Sequence, residues 1–183
     1  RAGDGENALK YYFEYALHSE KKNDFRSLAS AYLRIGWAYH MQGVYPKAFD
    51  FYNKALEISR KNFDKLNEAD SMGKLAVWYI DKGQYDRALE LLTKSSEINR
   101  HAQHIYQHRY NLACDYFNLG LLFTDKDDFA TAKEFYGQSY SLFNNLKLKH
   151  ELSDYYFNMG EIYSFQKEYH KAMDSYEKGL QID

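Results

Sequence analysis

The chain has 183 residues, with 24 basic and 26 acidic side chains and a formal net charge of −2. This near balance gives no electrostatic attraction to nucleic acid or to an anionic membrane surface, so neither partner is expected. No apolar run is long enough to be inserted into a membrane. A single cysteine, Cys114, excludes an internal disulfide and leaves the compartment undetermined, with the cytoplasm favoured. One proline beside 19 tyrosines and 12 phenylalanines favours long helices with aromatic packing.

One sequence pattern occurs four times. In its clearest copy, Tyr156 lies four residues before Gly160 and Tyr163 lies three residues after it. Ala172 follows twelve residues after the glycine, and Tyr176 four residues after that alanine. The matching positions of the other copies, the last of them looser, are Tyr32, Ile35, Gly36, Tyr39, Ala48 and Tyr52; Tyr116, Leu119, Gly120, Phe123, Ala132 and Tyr136; and Met72, Leu75, Ala76, Tyr79, Ala88 and Leu92.

The spacing of the pattern predicts stacked helical hairpins. The step from the small residue to the alanine is 12 residues in every copy, whereas successive alanines from Ala8 to Ala172 are 40, 40, 44 and 40 residues apart. Constant spacing within a unit and variable spacing between units is typical of repeat arrays. The apolar residues recur at i, i+3, i+4 and i+7, as on one face of an amphipathic helix. Glycine and alanine at the fixed positions would let a second helix approach closely.

The pattern resembles the tetratricopeptide repeat, a helix–turn–helix unit that stacks into a right-handed superhelix. The chain departs from the usual pattern in its period, which is 40 residues rather than about 34. Arg60 and Arg100 also occupy the place of the proline that commonly ends the second helix. Such long repeats resemble those of kinesin light chains, bacterial peptide-pheromone receptors and bacterial signalling proteins. The resemblance implies an all-α, right-handed superhelical α-solenoid.

We predict a single array over residues 1–183, which begins inside a repeat and ends without a polar capping helix. The array would be a fragment of a longer protein, and its uncapped ends could self-associate. Gly43, Gly83, Asp127 and Lys167 are expected at the turns within the four full hairpins. The predicted units are a half repeat at 1–23 and repeats at 24–63, 64–103, 104–147 and 148–183. The predicted helices are 5–22, 24–42, 45–62, 65–82, 85–101, 104–126, 129–145, 148–166 and 169–182.

The resemblance also implies that the first helix of each hairpin lines a concave groove, with the residue two before the signature glycine facing it. These residues are Arg34, Lys74, Asn118 and Asn158. In similar peptide receptors an asparagine at this place holds the backbone of an extended peptide, since a carboxamide offers both a donor and an acceptor. Helices about 8–10 Å apart and a peptide rise of about 3.3 Å per residue would place Asn118 and Asn158 about three peptide residues apart.

Arg34 and Lys74 would continue this row by binding carbonyl groups or an acidic side chain. The alternative is that asparagine is merely tolerated on a polar helix face.

Aromatic residues are also expected at the groove. Trp37, Phe117 and Phe157 would form pockets for side chains of a partner, beside the acidic Asp154 and Glu161. The alternative is that the aromatic rings pack between neighbouring helices.

The sequence contains little that indicates catalysis or metal binding. It has no glycine-rich phosphate loop, nucleophile elbow or paired-cysteine motif, so neither an enzyme nor a cofactor is expected. His101, His104 and His108 have the i, i+3, i+7 spacing of one helix face. No carboxylate or cysteine completes a set of about four ligands, so a polar face is favoured and metal binding stays open.

The sequence thus predicts a non-catalytic protein- or peptide-binding scaffold or sensing module of a larger bacterial signalling or regulatory protein. Two alternatives remain. One is a structural spacer or self-association module, and the other is a receptor domain for a signalling peptide.

Overall fold

The computed structural model describes the backbone of residues 2–182 and the side chains of residues 7–182. All regular secondary structure in this range is α-helical. The helices are α1 (Ala2–Lys21), α2 (Phe25–Met41), α3 (Tyr45–Lys61), α4 (Lys65–Asp81), α5 (Tyr85–His101), α6 (Tyr106–Asp125), α7 (Phe129–Leu146), α8 (Lys149–Phe165) and α9 (Tyr169–Ile182). The predicted helices and the all-α class are confirmed, with boundaries shifted by at most three residues.

Nearly every helix ends in the same kind of turn. The residue that closes the turn has a positive φ, between 53° and 74°, which is the left-handed conformation typical of helix C-termini. The next helix begins in several cases with an aspartate whose side chain caps it, as Asp24 does for Ser27 and Asp128 for Thr131. The positive-φ residues are Asn23, Gly43, Phe63, Gly83, Asp127, Lys147 and Lys167.

The chain divides into two compact units, residues 1–98 and residues 99–183, and the point of division along the chain falls within the last turn of α5. In the first unit, α2 packs on α1 and α3, α3 packs on α4, and the first helices α2 and α4 touch each other. In the second unit, α6 packs on α7, α7 on α8 and α8 on α9, and the first helices α6 and α8 touch each other. Each unit therefore carries its own pair of adjacent first helices. The single continuous array stays a prediction.

The signature glycines lie where two helices of a hairpin cross. A Cβ atom added to Gly36 would lie 2.6 Å from the ring of Tyr52, and one added to Gly120 would lie 2.6 Å from the ring of Tyr136. The same substitution at Gly160 would place a Cβ 2.5 Å from Tyr176. The predicted close approach is confirmed, and it decides where these tyrosines lie.

The core of each unit joins successive hairpins. In the first unit, Tyr52 and Leu56 of α3 pack with Met72 and Leu75 of α4. In the second unit, Tyr136 of α7 packs with residues of α8, including Ile162, which is fully buried. The tyrosine that fills the space beside the glycine therefore also reaches the first helix of the next hairpin. This contact positions the candidate site.

Candidate functional site

The repeat brings the same four positions together in each unit. A buried tyrosine of a second helix ends beside the first helix of the next hairpin, which carries an aspartate and, one turn later, the predicted groove residue. In the first unit these four residues are Arg34, Tyr52, Asp70 and Lys74, and together with the neighbouring Trp37 we call them the charged face. In the second unit the four equivalent residues, Asn118, Tyr136, Asp154 and Asn158, are called the amide face.

On the amide face, Asn158 is held by two hydrogen bonds. Its side-chain Nδ2 donates to the carbonyl oxygen of Asp154 at 2.8 Å, one turn earlier on α8. The hydroxyl of Tyr136 donates to its Oδ1 at 3.3 Å. A carboxamide has a second N–H and a second lone pair, so Asn158 retains one donor and one acceptor for a ligand. Asn118 is half-buried on α6, which contacts α8.

The Tyr136 hydroxyl stays protonated and therefore acts as a donor. Burial raises the pKa of Tyr136 above its ordinary value, and the charges of Glu161 and Asp125 raise it further, while Thr124 opposes the shift. The tyrosine is fully buried. The orientation of the Asn158 side chain is therefore fixed by a hydrogen bond from a tyrosine that packs in the core.

On the charged face, lysine replaces asparagine and the tyrosine loses its partner. Lys74 places its ammonium group 4.9 Å from the centroid of the Trp37 ring, a cation–π contact. Tyr52, only 1% exposed, has a buried hydroxyl with no hydrogen-bond partner among the described residues. An unpaired buried hydroxyl costs about 1–3 kcal/mol. The two faces therefore differ in whether their central tyrosine is satisfied.

The charged face also contains a carboxyl group with a shifted titration. Burial raises the pKa of Asp70, while the positive charges of Lys74 and Arg34 oppose this shift. Burial also raises the pKa of Tyr52, and the negative charge of Asp70 adds to it. Arg34 on α2 and Lys74 on α4 form no ion pair with Asp70 or with any other described residue. Two cations and one carboxyl group thus share the face without neutralising each other at close range.

The predicted aromatic residues are placed differently from one another. Trp37 is 48% exposed and stacks on His40 with ring centroids 5.6 Å apart. Phe117 is half-buried, with its ring 5.3 Å from that of Tyr136. Phe157 is likewise half-buried, with its ring 6.2 Å from that of Tyr176. The position three before the glycine thus points toward the second helix of its own hairpin.

Two contributors to the faces are absent from the sequence prediction. Asp154 is among the predicted groove residues, but its equivalent Asp70 is not, although both lie four residues before a predicted groove residue. Tyr52 and Tyr136 are predicted only as packing residues, with no role for their hydroxyl groups. The regular i, i+4 spacing of Asp70 and Lys74 was the available signal for the first. No local signal indicates where a tyrosine hydroxyl ends in a fold.

The prediction that the three histidines share one helix face is wrong. His101 is the last residue of α5, His104 lies in the connection, and His108 lies on α6. The connection at 102–105 is one residue longer than the connection at 62–64, and α6 has 20 residues compared with 17 in α4, so a break in the helix separates the three histidines. His108 is buried, with its Nδ1 2.8 Å from Oδ1 of Asn99.

Asn99 in turn donates from Nδ2 to Oδ2 of Asp115 at 2.8 Å, so His108 belongs to a structural network. Among the described residues, no group of three or more histidine, cysteine, aspartate and glutamate side chains is placed to hold a metal ion. Within the described range of the chain, no helix combines the length and the apolar content needed to cross a bilayer.

Comparison with known proteins relates this geometry to solved structures. The fold matches NprR in complex with its cognate peptide NprX, with a TM-score of 0.75 and 24% identity over 97% of this chain and 50% of NprR. It also matches a Rap protein complexed with competence and sporulation factor, with a TM-score of 0.74 and 17% identity over 96% of this chain and 54% of the Rap chain. The chain thus spans about half the length of each, and at these identities the likeness is one of fold.

A shorter similarity links the chain to a curated sequence. Photosystem I assembly protein Ycf3 of Prochlorococcus marinus is 30% identical over 76 residues, which is 42% of this chain and 42% of that protein. The tetratricopeptide repeat family profile matches residues 27–101 and 110–183, which is more than half of the chain. Together with the hairpins and the signature glycine–tyrosine crossings, this match shows that the chain belongs to the tetratricopeptide repeat family.

Proposed function

We propose that the chain is a non-catalytic protein- or peptide-binding module that holds the backbone of an extended peptide on the adjacent first helices of a unit. Asn118 and Asn158 are the principal contacts in the second unit, and Arg34 and Lys74 are their counterparts in the first. Trp37 supplies an exposed ring, whereas Phe117 and Phe157 contribute only the exposed edges of half-buried rings. The module would serve as a sensing or scaffolding part of a larger bacterial signalling or regulatory protein.

The observation that carries this proposal is the orientation of Asn158. Its amide is fixed by Tyr136 and by the carbonyl of Asp154, yet keeps one donor and one acceptor. A peptide bond presents one N–H and one C=O. These can pair with the remaining acceptor and donor of Asn158, whatever side chain the peptide residue carries. Because the amide is already ordered, binding loses less side-chain entropy than it would at a mobile surface residue.

Two solved relatives of the same fold support the peptide as a ligand class. NprR was solved with its cognate peptide, and the Rap protein with competence and sporulation factor. These two ligands are those of NprR and of the Rap protein, and only the general class of ligand, a peptide, is carried over to this proposal. The mixture of Arg34 and Lys74 with two asparagines differs from a row of four amides, so a general peptide- or protein-binding role is favoured over a dedicated receptor for one signalling peptide.

The proposal is tested by binding of a mixed peptide library to the wild type and to Asn118→Ala and Asn158→Ala. Each substitution removes amide hydrogen bonds, and we expect retention of peptides to fall about tenfold. Asn145→Ala is the matched control, because Asn145 is exposed on the second helix α7. Equal retention by all four proteins, each shown to be folded by a cooperative thermal transition, would exclude the amide face as the binding surface.

A second candidate function, end-to-end association, is favoured by the surface of α9. Met173 and Leu180 are 59% and 67% exposed. Their equivalents on α3, Phe49 and Leu56, pack in the core formed with α4. The described part of α9 therefore presents an apolar face of the kind that receives another helix in the first unit.

Light scattering over a concentration series tests this second candidate. If α9 mediates association, the molar mass rises with concentration, and the double variant Met173→Lys, Leu180→Lys stays monomeric. A concentration-independent monomeric mass for the wild type would rule association out.

A further inference from the structure

We propose that one edge of the first unit docks onto a membrane surface that contains anionic lipids. The edge consists of the turn at 22–24, which joins α1 to α2, and the turn at 62–64, which joins α3 to α4, together with the helix ends beside them. We call this surface the turn edge. Docking at the turn edge is independent of peptide binding by the first-helix faces, so it goes beyond the proposed function.

Side-chain contacts show that the two turns are neighbours. Arg26, in the first turn of α2, has its Nε 3.5 Å from Oδ2 of Asp64, the residue that caps α4. Asn67 of α4 donates from Nδ2 to the backbone carbonyl oxygen of Arg26 at 3.2 Å. The beginnings of α2 and α4 are thus joined directly, and the side chains of both turns belong to one surface.

The turn edge carries positive charge that the composition of the whole chain conceals. Residues 20–26 and 60–68 have six basic and four acidic side chains, whereas the whole chain has a net charge of −2. The carboxylates of Asp64 and Glu68 are buried and already paired with cations. Anionic headgroups are therefore attracted by this local distribution, although the net charge of the chain predicts no such attraction. Three exposed lysines of the edge form no ion pair with a described residue: Lys21, Lys22 and Lys61.

The placement of Phe63 is the second, independent observation. Phe63 lies in the turn at 62–64 with 84% of its surface exposed, and its φ of 56° is in the left-handed region. Bulky residues rarely adopt this conformation, and Asn23 and Lys147 occupy the equivalent place in two other turns. The turn therefore forms without a phenylalanine, and the exposed ring adds little to the core. A residue that is both strained and exposed points to a role outside folding.

An apolar ring among cations fits the interface of a lipid bilayer. Phe25, at the start of α2, is 41% exposed and adds a second ring to the turn edge. Aromatic rings enter the boundary between headgroups and acyl chains, while lysines bind the headgroup phosphates. The lysines alone have another explanation, because Lys21 and Lys61 end α1 and α3, where cations interact favourably with the helix dipole. Their combination with a ring that the fold does not use favours a lipid surface.

The test measures co-sedimentation of the full chain with lipid vesicles of two compositions. One is phosphatidylcholine alone, and the other is a mixture of phosphatidylcholine with anionic phosphatidylglycerol. We expect the wild type to bind the anionic vesicles about tenfold more tightly than the neutral ones, and to lose this preference at high salt because exposed charges are screened. Absence of binding to the anionic vesicles, or equal binding to both compositions, overturns the proposal.

Phe63→Asn separates docking from folding. Asparagine adopts the left-handed conformation more readily than phenylalanine, so the melting temperature should be unchanged or raised. Binding to the anionic vesicles should nevertheless fall about tenfold, because the inserted ring is lost, and Phe63→Trp should retain it. Met41→Ser is the matched control, since Met41 is 66% exposed at the opposite end of α2, and it should bind like the wild type. Equal binding by the wild type and Phe63→Asn overturns the proposal.

Lys22→Gln and Lys61→Gln test the electrostatic part. Each should weaken binding to the anionic vesicles about fivefold, whereas Lys54→Gln, at an exposed position in the middle of α3, should leave it unchanged. Undiminished binding by both turn-edge variants overturns the assignment to anionic lipid. A single-stranded oligonucleotide provides the competing anionic surface. If Phe63→Asn weakens binding of the oligonucleotide and not of the vesicles, the turn edge serves a nucleic acid and the lipid proposal is overturned.

Discussion

The charged face and the amide face are built on the same backbone arrangement but use it differently. In both, a tyrosine lies against the signature glycine of its hairpin and ends beside the next first helix. On the amide face the Tyr136 hydroxyl fixes Asn158. On the charged face the equivalent Tyr52 hydroxyl is unpartnered, and Lys74 lies over Trp37. A repeat can thus keep its packing residues constant while one substitution changes the polar groups that a unit presents.

The largest expected effect tests the shared foundation of the two faces. Gly36→Ala and Gly120→Ala would each force a Cβ to within 2.6 Å of the tyrosine ring, and we expect each to lower the free energy of unfolding by about 1–3 kcal/mol. Urea denaturation measures this. Gly137→Ala is the matched control, since nothing lies within 4 Å of its added Cβ. That helical substitution should stabilise the chain by about 0.5–1 kcal/mol.

Unequal costs at Gly36 and Gly120 would break the comparison, because the two tyrosines could not then be held in the same way. A loss of stability in the control would show that glycine itself, and not the crossing, is required at such positions.

The hydroxyl groups of the two tyrosines should have opposite effects. Tyr136→Phe removes the hydrogen bond to Asn158, and we expect it to destabilise the chain by about 0.5–1.5 kcal/mol. Tyr52→Phe removes an unpartnered buried hydroxyl, so it should leave stability unchanged or raise it. Thermal denaturation of both variants under identical conditions gives the comparison. Equal destabilisation by the two changes would mean that Tyr52 is satisfied in solution.

Exchanging one residue should convert the charged face toward the amide face. Lys74→Asn supplies Tyr52 with the acceptor that Tyr136 already has, and we expect a gain in stability of about 0.5–1.5 kcal/mol. Lys54→Asn on α3, an exposed position, serves as the control for loss of a lysine. A lower stability of Lys74→Asn than of this control would contradict the proposed equivalence of the faces.

The smallest expected effect concerns the titration of Asp70. Because burial raises its pKa above the ordinary value of 3.8, the folded state binds its proton more tightly than the unfolded state. The stability that this group contributes is therefore fully present below pH 3.8 and is lost as the pH rises through its raised pKa. Asp70→Asn removes this loss, so the variant should be more stable than the wild type near pH 7.

Denaturation curves recorded from acid to neutral pH would show the difference narrowing as the pH falls. Asp50→Asn, at an exposed position of α3, should follow the wild type throughout. If Asp70→Asn instead destabilises the chain near pH 7, the cations Arg34 and Lys74 outweigh burial at this site.

The sequence predicted most of the fold because the hairpin is encoded locally and repeatedly. Gly43 and Gly83 mark turns with positive φ, and the fixed glycine-to-alanine step marks the crossing of two helices. The same local logic misses Phe63, an aromatic residue in a left-handed turn conformation with 84% of its surface exposed. Its place follows from the spacing of the repeat and not from its own conformational preference.

Where the periodicity changed, the predicted helices are confirmed but the shared face of the three histidines is wrong. Of the four extra residues, three lengthen α6 relative to α4 and one lengthens the connection before it. The connection at 102–105 separates His101 from His108, which is buried against Asn99. The burial of His108 depends on its polar partner Asn99 and, through it, on Asp115, and helical periodicity alone does not specify these contacts.

The sequence by itself determined the helices, the turns and the small residues at which helices cross, because each follows from the spacing of neighbouring residues. Only the tertiary structure decided that Tyr136 holds Asn158 while Tyr52 is left beside Asp70. The physical reason is that the hydrogen bonding and titration of a buried polar group depend on atoms brought near it by other helices, and helical periodicity specifies which face a residue occupies but not which groups meet there.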